Sequence, residues 1–178
     1  MIHVITISAL PELLIEQVCK HLFLNYGVGT EHSRHNGGAE KEVERDAMSL
    51  LSREWGISSF ADDKTLLLTD EPITLLDGPM GIPPSGGFAD PSRSIAVVTT
   101  HGIPFPKRRE QEEDPNEWLS YTNQVARRAV DQVGLLWGLH RCVNTRCAML
   151  APWLKSTSPN LCDFCRERSE TRISRARS

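Results

Sequence analysis

Polar and apolar positions along this chain switch between a period of two and a period near 3.6, and each switch marks an element. The opening run Ile2-His3-Val4-Ile5-Thr6-Ile7 is rich in β-branched residues and reads as a buried strand. Leu13, Leu14, Val18 and Leu22 then recur at helical steps, which predicts a helix from Pro11 to Leu24. Pro11 suits its first turn, where a missing N–H costs little. A second strand is expected over Tyr26 to Thr30, followed by a polar, glycine-bearing loop from Glu31 to Gly38. Val43, Ala47, Leu50, Leu51 and Trp55 predict a helix over Glu40 to Trp55, stopped by Gly56. Thr65 to Asp70 is expected to be a strand buried on both faces, and Ile95 to Thr99 another, with a proline- and glycine-rich connection from Leu75 to Asp90 between them. His101 to Pro115 carries both signs of charge and reads as a solvated loop.

The strongest periodicity lies further on. Trp118, Tyr121, Val125, Ala129, Val133, Leu136 and Trp137 follow three- and four-residue steps, predicting a helix from Asn116, as N-cap, to about Leu139. Asp131 and Leu135 lie off that apolar face, and Asp131 is expected to be an exposed, solubilising residue.

Composition narrows the class. With 178 residues, 39% hydrophobic, and a formal net charge of −3, a single compact domain is expected, with no global attraction to nucleic acid. The opening residues lack the basic start and small-residue cleavage site of a signal peptide, and no apolar run approaches the ~20 residues a membrane span needs. The expectation is a cytoplasmic monomer without membrane attachment.

Five cysteines add chemistry. Cys142 and Cys147 are separated by four residues, and Cys162 and Cys165 form a CxxC. Such pairs bind one zinc ion from two tight turns, and four thiolates close its coordination sphere, leaving no position for water or substrate. The expected ion is therefore structural. The competing readings are two disulfides, which need an oxidising compartment, or buried reduced thiols without a metal. Cys19 has no partner at ligand spacing and reads as a small core residue. His32 and His35 form an HxxH, but in a polar loop with glycines rather than on a rigid frame.

The run Gly134-Leu135-Leu136-Trp137-Gly138-Leu139-His140-Arg141-Cys142-Val143-Asn144-Thr145-Arg146-Cys147-Ala148-Met149 resembles the active-site region of the archaemetzincins, zinc metallopeptidases of the metzincin clan. Their pattern is HExxHxxGxxHC, four residues, Cys, one residue, Met, and a later CxxC. The resemblance puts Gly138 on the glycine that turns the chain after the active-site helix, Met149 on the methionine under the catalytic metal, and the four cysteines on a structural zinc site. Thr69-Asp70, Gly87-Phe88-Ala89-Asp90 and Ala96-Val97-Val98 match the family's middle region in order, and the resemblance makes the last of these the edge strand facing the substrate groove. It extends over residues 1–165, with the zinc region at 142–165, and leaves 166–178 as a basic tail expected to be disordered.

The same register shows what is lost. The three histidine positions hold Asp131, Leu135 and Arg141, and the general-base glutamate is Gln132. Leucine cannot ligate a metal, arginine repels a cation, and glutamine cannot take a proton from zinc-bound water. His140 stands one residue before the third ligand position.

The expected fold is therefore a single α/β domain of the zincin type, with a small, mostly parallel sheet packed against helices and a C-terminal four-cysteine zinc loop. The expected function is that of a pseudopeptidase keeping one structural Zn2+ and no catalytic ion, which binds an extended peptide or a protein partner. The alternative is a zinc-dependent metallopeptidase with a remodelled site using Asp131 and His140. A third reading, nucleic-acid binding through the basic tail, is set against the chain's acidic balance and its lack of interleaved aromatics.

Overall fold

The computed structural model describes residues 1–34, 45–46, 63–74, 86–106, 114–151 and 158–177. In chain order the elements are β1 (Ile2–Thr6), α1 (Glu12–Tyr26), β2 (Thr30–Arg34), β3 (Arg45–Asp46), β4 (Lys64–Thr69), β5 (Ile73–Thr74), β6 (Gly87–Asp90), β7 (Ile95–Thr99), α2 (Pro115–Leu136) and α3 (Asp163–Ala176).

Five strands form the main sheet in the order β2-β1-β4-β7-β6. The first four are parallel, and β6 alone runs antiparallel, against β7. The central strands are apolar on both faces because both faces are covered. Ile2, Val4, Leu66, Leu68, Ala96 and Val98 face one side, where α1 and α2 pack. Ile5, Leu67, Ile95 and Val97 face the other, joined by Ile73 and partly by Phe88. This is the mixed α/β architecture expected.

Several boundaries differ from expectation. Tyr26 ends α1 rather than starting a strand, because Gly27 adopts a left-handed conformation (φ 61°) and its N–H closes on the Phe23 carbonyl. The second strand lies instead at Thr30–Arg34, sharing only Thr30 with the expected strand and running into the expected loop. As an edge strand it pairs only with β1 and leaves most of its side chains solvated, so its sequence carries no strand pattern. The helix expected over Glu40 to Trp55 falls outside the described residues except at Arg45–Asp46, whose backbone pairs with Ile73–Thr74 in a two-strand ladder.

The edge assignment is corrected as well. The strand containing Ala96-Val97-Val98 is internal, with β4 on one side and β6 on the other. The edge is Gly87–Asp90, part of the expected connection, where Gly87 pairs with Val98 and Asp90 with Ile95.

Helix α2 is capped two residues earlier than expected and ends at Leu136 rather than Leu139. Asp114 is its N-cap, accepting from the Asn116 N–H at 2.8 Å, with Pro115 in the first turn. It ends in a Schellman motif: the Leu139 N–H bonds to the Gly134 carbonyl and the Gly138 N–H to the Leu135 carbonyl, both at 2.9 Å. Gly138 takes the required left-handed conformation at φ 71°, as the chain-turning role predicted for it demands. The apolar face expected of α2 is buried from Tyr121 to Trp137, with Trp118 partly buried and edge-on to Phe105.

The tail expected to be disordered forms α3. Its charges mask a narrow buried stripe of Cys165, Ser169 and Ile173, each a turn apart. The stripe docks on α1, and Ser169 satisfies its own hydroxyl on the Arg166 carbonyl at 2.7 Å. Among the described residues no helix is long and apolar enough to cross a membrane.

Candidate metal centre and the buried ion pair beside it

The four expected cysteines converge. The sulfurs of Cys142, Cys147, Cys162 and Cys165 all lie within 4.8 Å of one another, and all four residues are free of disulfides. Tetrahedral zinc at about 2.3 Å from each sulfur implies S···S separations of about 3.8 Å. Cys142 and Cys162 stand at 3.8 Å, far from the ~2.05 Å of a disulfide. The donor set and its size therefore suit zinc.

Local structure explains how four residues from two segments meet. Cys142 and Ala151 are tied across a turn, the Cys142 N–H to the Met149 carbonyl at 2.8 Å and the Ala151 N–H to the Cys142 carbonyl at 3.2 Å. The second pair sits at the start of α3, Cys162 as N-cap and Cys165 in the first turn, where helix amides favour a thiolate. Backbone amides approach the sulfurs: Asn144 N–H to Cys142 Sγ and Cys162 N–H to Cys147 Sγ, both at 3.4 Å. Without a metal, burial pushes the Cys147 thiol up to about 11 and raises Cys165 as well. Burial also works against Cys162, but amide and thiol hydrogen bonds outweigh it and hold that group low.

Asn25, from the end of α1, holds the approach to the second pair. Its side chain donates to the carbonyls of His21 (2.7 Å) and Pro159 (3.1 Å) and accepts from the Leu161 N–H at 2.7 Å. It is almost fully buried. Nothing in the sequence flagged it, since a lone asparagine in a helix carries no ligand spacing.

Next to this centre lie Asp131, Gln132, Leu135 and Arg141, the four positions that the resemblance sets against the family's catalytic pattern. Asp131 is not exposed, contrary to expectation: only 6% of it is accessible. Arg141 Nη1 bonds to one carboxylate oxygen of Asp131, and Gln132 Nε2 donates to the other at 2.9 Å. Burial raises the Asp131 pKa, and the Arg141 guanidinium works in the opposite direction. Gln132 is itself buried and lies under β6, so close that a Cβ at Gly87 would sit 2.8 Å from Gln132 Cγ. Leu135 packs partly buried against the core, and His140 is exposed. Arg128 fastens the same end of the sheet, donating to the carbonyls of Thr99 (2.6 Å) and His101 (3.1 Å).

Below the pair, Met149 is fully buried and reaches Gly134. A Cβ on Gly134 would meet Met149 Sδ at 2.5 Å and the Tyr26 hydroxyl at 2.9 Å. Tyr26 is pinned by its own bond to the Val130 carbonyl, and Met149 is fully buried, so room must come from repacking of its thioether. Gly134→Ala is expected to cost about 1–3 kcal/mol through overpacking, read as a lower urea midpoint with an unchanged slope.

Among the described residues, neither His32 nor Cys19 joins the four-cysteine group. His32 Nε2 contacts Thr6 Oγ1 at 3.2 Å at the sheet edge, while His35 lies outside the described residues. Cys19 is half-buried against the core, and burial raises its thiol pKa.

Comparison with known proteins agrees with this architecture. No protein-family model matches the sequence, and no curated protein matches it. Solved structures do. The archaemetzincin of Methanopyrus kandleri superposes with a TM-score of 0.70 at 21% identity, over 97% of this chain and 94% of that one. A zinc-dependent peptidase of Methanocorpusculum labreanum gives 0.65 at 22% identity, over 95% and 100%. The archaemetzincin of Archaeoglobus fulgidus, in complex with malonate, gives 0.62 at 18% identity, over 94% and 99%. With nearly the whole of each chain superposed and the four cysteines gathered at the C-terminal end, this protein has the archaemetzincin fold.

Proposed function

We propose that this protein is a pseudopeptidase: an archaemetzincin-like scaffold that keeps a structural zinc, has lost the catalytic one, and holds an extended peptide or protein segment. The observation that carries the reading is the Asp131–Arg141 pair. Two of the three positions at which the family pattern has metal-binding imidazoles are here an anion and a cation bonded to each other. A guanidinium supplies the positive charge beside Asp131, and bringing a divalent ion there means displacing it. Gln132 cannot accept a proton from water, and its amide is turned toward Asp131.

The remodelled-peptidase reading needs Asp131 and His140 as ligands. Both Asp131 oxygens are engaged and His140 is exposed to solvent, so the geometry favours the first reading. The peptide would add along β6, which among the described residues is the edge of the sheet and lies next to Gln132. Zinc binding by four thiols requires that they stay reduced, which agrees with a cytoplasmic setting.

The test combines metal content and activity. Protein purified without chelator should carry one zinc per chain and leave a mixed set of quenched fluorescent peptides intact. A binding peptide should slow hydrogen exchange at Gly87–Asp90. Two zinc ions per chain, or hydrolysis abolished by Gln132→Ala, would overturn the proposal.

A further inference from the structure

We propose that the groove between α3 and the start of β4 is a binding site for a nucleoside phosphate. It lies on the side of α2 away from Asp131, since Trp137, which lines it, stands six residues on and so about 120° from Asp131 around the helix. The groove encloses about 740 Å³, within the range of small-molecule sites.

Its lining is strongly cationic for a chain of net charge −3. Lys64, Arg168, Arg172 and Arg175 line it beside Glu167; Lys64 and Arg175 are engaged within the protein, and Arg168 and Arg172 are the cations that meet a ligand. The three arginines are spaced one turn apart along α3, so they present one continuous face. Two of the groups are held in place. The Lys64 ammonium donates to Ser94 Oγ at 2.8 Å and sits 4.9 Å over the Trp137 ring. Arg172 is packed against the end of α2, its Nη1 only 2.6 Å from where a Cβ on Gly138 would lie. Among the described residues Arg172 has no hydrogen bond or ion pair, so its forked donors can meet an anion in the groove. Such planar, bidentate donors match phosphate oxygens better than any other common anion except a carboxylate.

Two aromatic features distinguish the ligand from a bare anion. Phe164 is 62% exposed and stacks at 5.4 Å with Arg168, offering a flat face at the groove's edge to a second planar ring. Trp137 lines the groove as well, and its ring forms part of the apolar wall under the Lys64 ammonium. Charge complementarity at one part and a stacking face at another are what a phosphate joined to a nucleobase requires.

The experiment is calorimetric titration of the zinc-loaded full chain with ADP, inorganic phosphate, adenosine and a ten-nucleotide single-stranded DNA. ADP should bind once per chain, at least tenfold more tightly than phosphate or adenosine. Arg172→Gln and, separately, Arg168→Gln should each weaken ADP by tenfold or more while leaving zinc content and melting temperature unchanged. Phe164→Ala should weaken ADP without affecting phosphate. No heat with ADP, or the same ADP affinity in both arginine variants, overturns the proposal. So does equal binding of phosphate and ADP, which would mean a general anion site. Tighter, steeply salt-dependent binding of the oligonucleotide also overturns it in favour of a nucleic-acid surface.

Discussion

Cys162→Ser combined with Cys165→Ser should release the zinc and lower the melting temperature by about 10–20 °C. The magnitude follows from comparing two scales. Structural zinc contributes about 10–16 kcal/mol to folding in small zinc modules, whereas a whole domain is stable by only about 5–15 kcal/mol. Even if half of that binding energy is absent here because the sheet folds without metal, about 5 kcal/mol remains. For a domain of this size each kcal/mol moves the midpoint by about 2–4 °C. Helix α3 should be the first element to go, since only Cys165, Ser169 and Ile173 of its residues are buried and the metal fixes its first turn. Elemental analysis and circular dichroism check both parts, and a strong chelator acting on the unaltered protein should reproduce them. A variant that loses zinc yet melts with the parent would show that the thiols pack as an ordinary core. The zinc-dependent part of the stability should fall as pH falls, because the metal must displace protons from thiols such as Cys147, pushed up to about 11 when metal-free.

Arg141→Met is the other large effect, about 3–5 kcal/mol of destabilisation at neutral pH. The loss comes from what is left behind, a buried carboxylate with one hydrogen-bond partner remaining, rather than from the worth of the ion pair itself. Two companions make the test specific. Adding Asp131→Leu should recover most of the loss, since the stranded charge disappears with its partner. Acid should also relieve it. The folded Asp131 pKa is raised, so the fold favours the protonated carboxyl. That preference is fully present below the unfolded value of about 3.9 and is lost as pH rises through the folded value. Removing Arg141 raises the folded value further, so denaturant midpoints of variant and parent should approach each other on acidification. Equal penalties at acid and neutral pH would mean that lost packing, not charge, is responsible.

How much of this could be read beforehand depends on whether a residue's role was local. The cysteine set was legible because metal ligands come in short-range pairs, and the two pairs needed only a fold to meet. The strands β1, β4 and β7 announced themselves by apolar runs that only burial on both faces explains. The two outer strands were missed for a common reason: an edge strand is stabilised by backbone pairing from one side, which leaves its side chains free to be polar or small. Asp131 was misread because its partner is ten positions away, past a glycine turn whose geometry decides whether Arg141 reaches back. Helix α3 was hidden by its surface, since one buried residue per turn is below what a periodic pattern reveals. The residues that the resemblance sets against the family's catalytic pattern could be named from sequence, but the bond between Asp131 and Arg141 is seen only in the fold.

The hold of Asn25 on Pro159 and Leu161 has a consequence for how tightly the metal is kept. In a free chain, the second cysteine pair would search for the first through the intervening loop, and closing that loop costs entropy that grows with its length. Here a side chain 136 residues earlier has already delivered the CxxC to its partners, so the four sulfurs meet zinc at a high effective concentration. Asn25 thus acts as an element of the chelator without touching the ion. Its replacement by alanine would show in the rate at which zinc leaves, through easier opening of one arm of the chelate, even with every ligand in place.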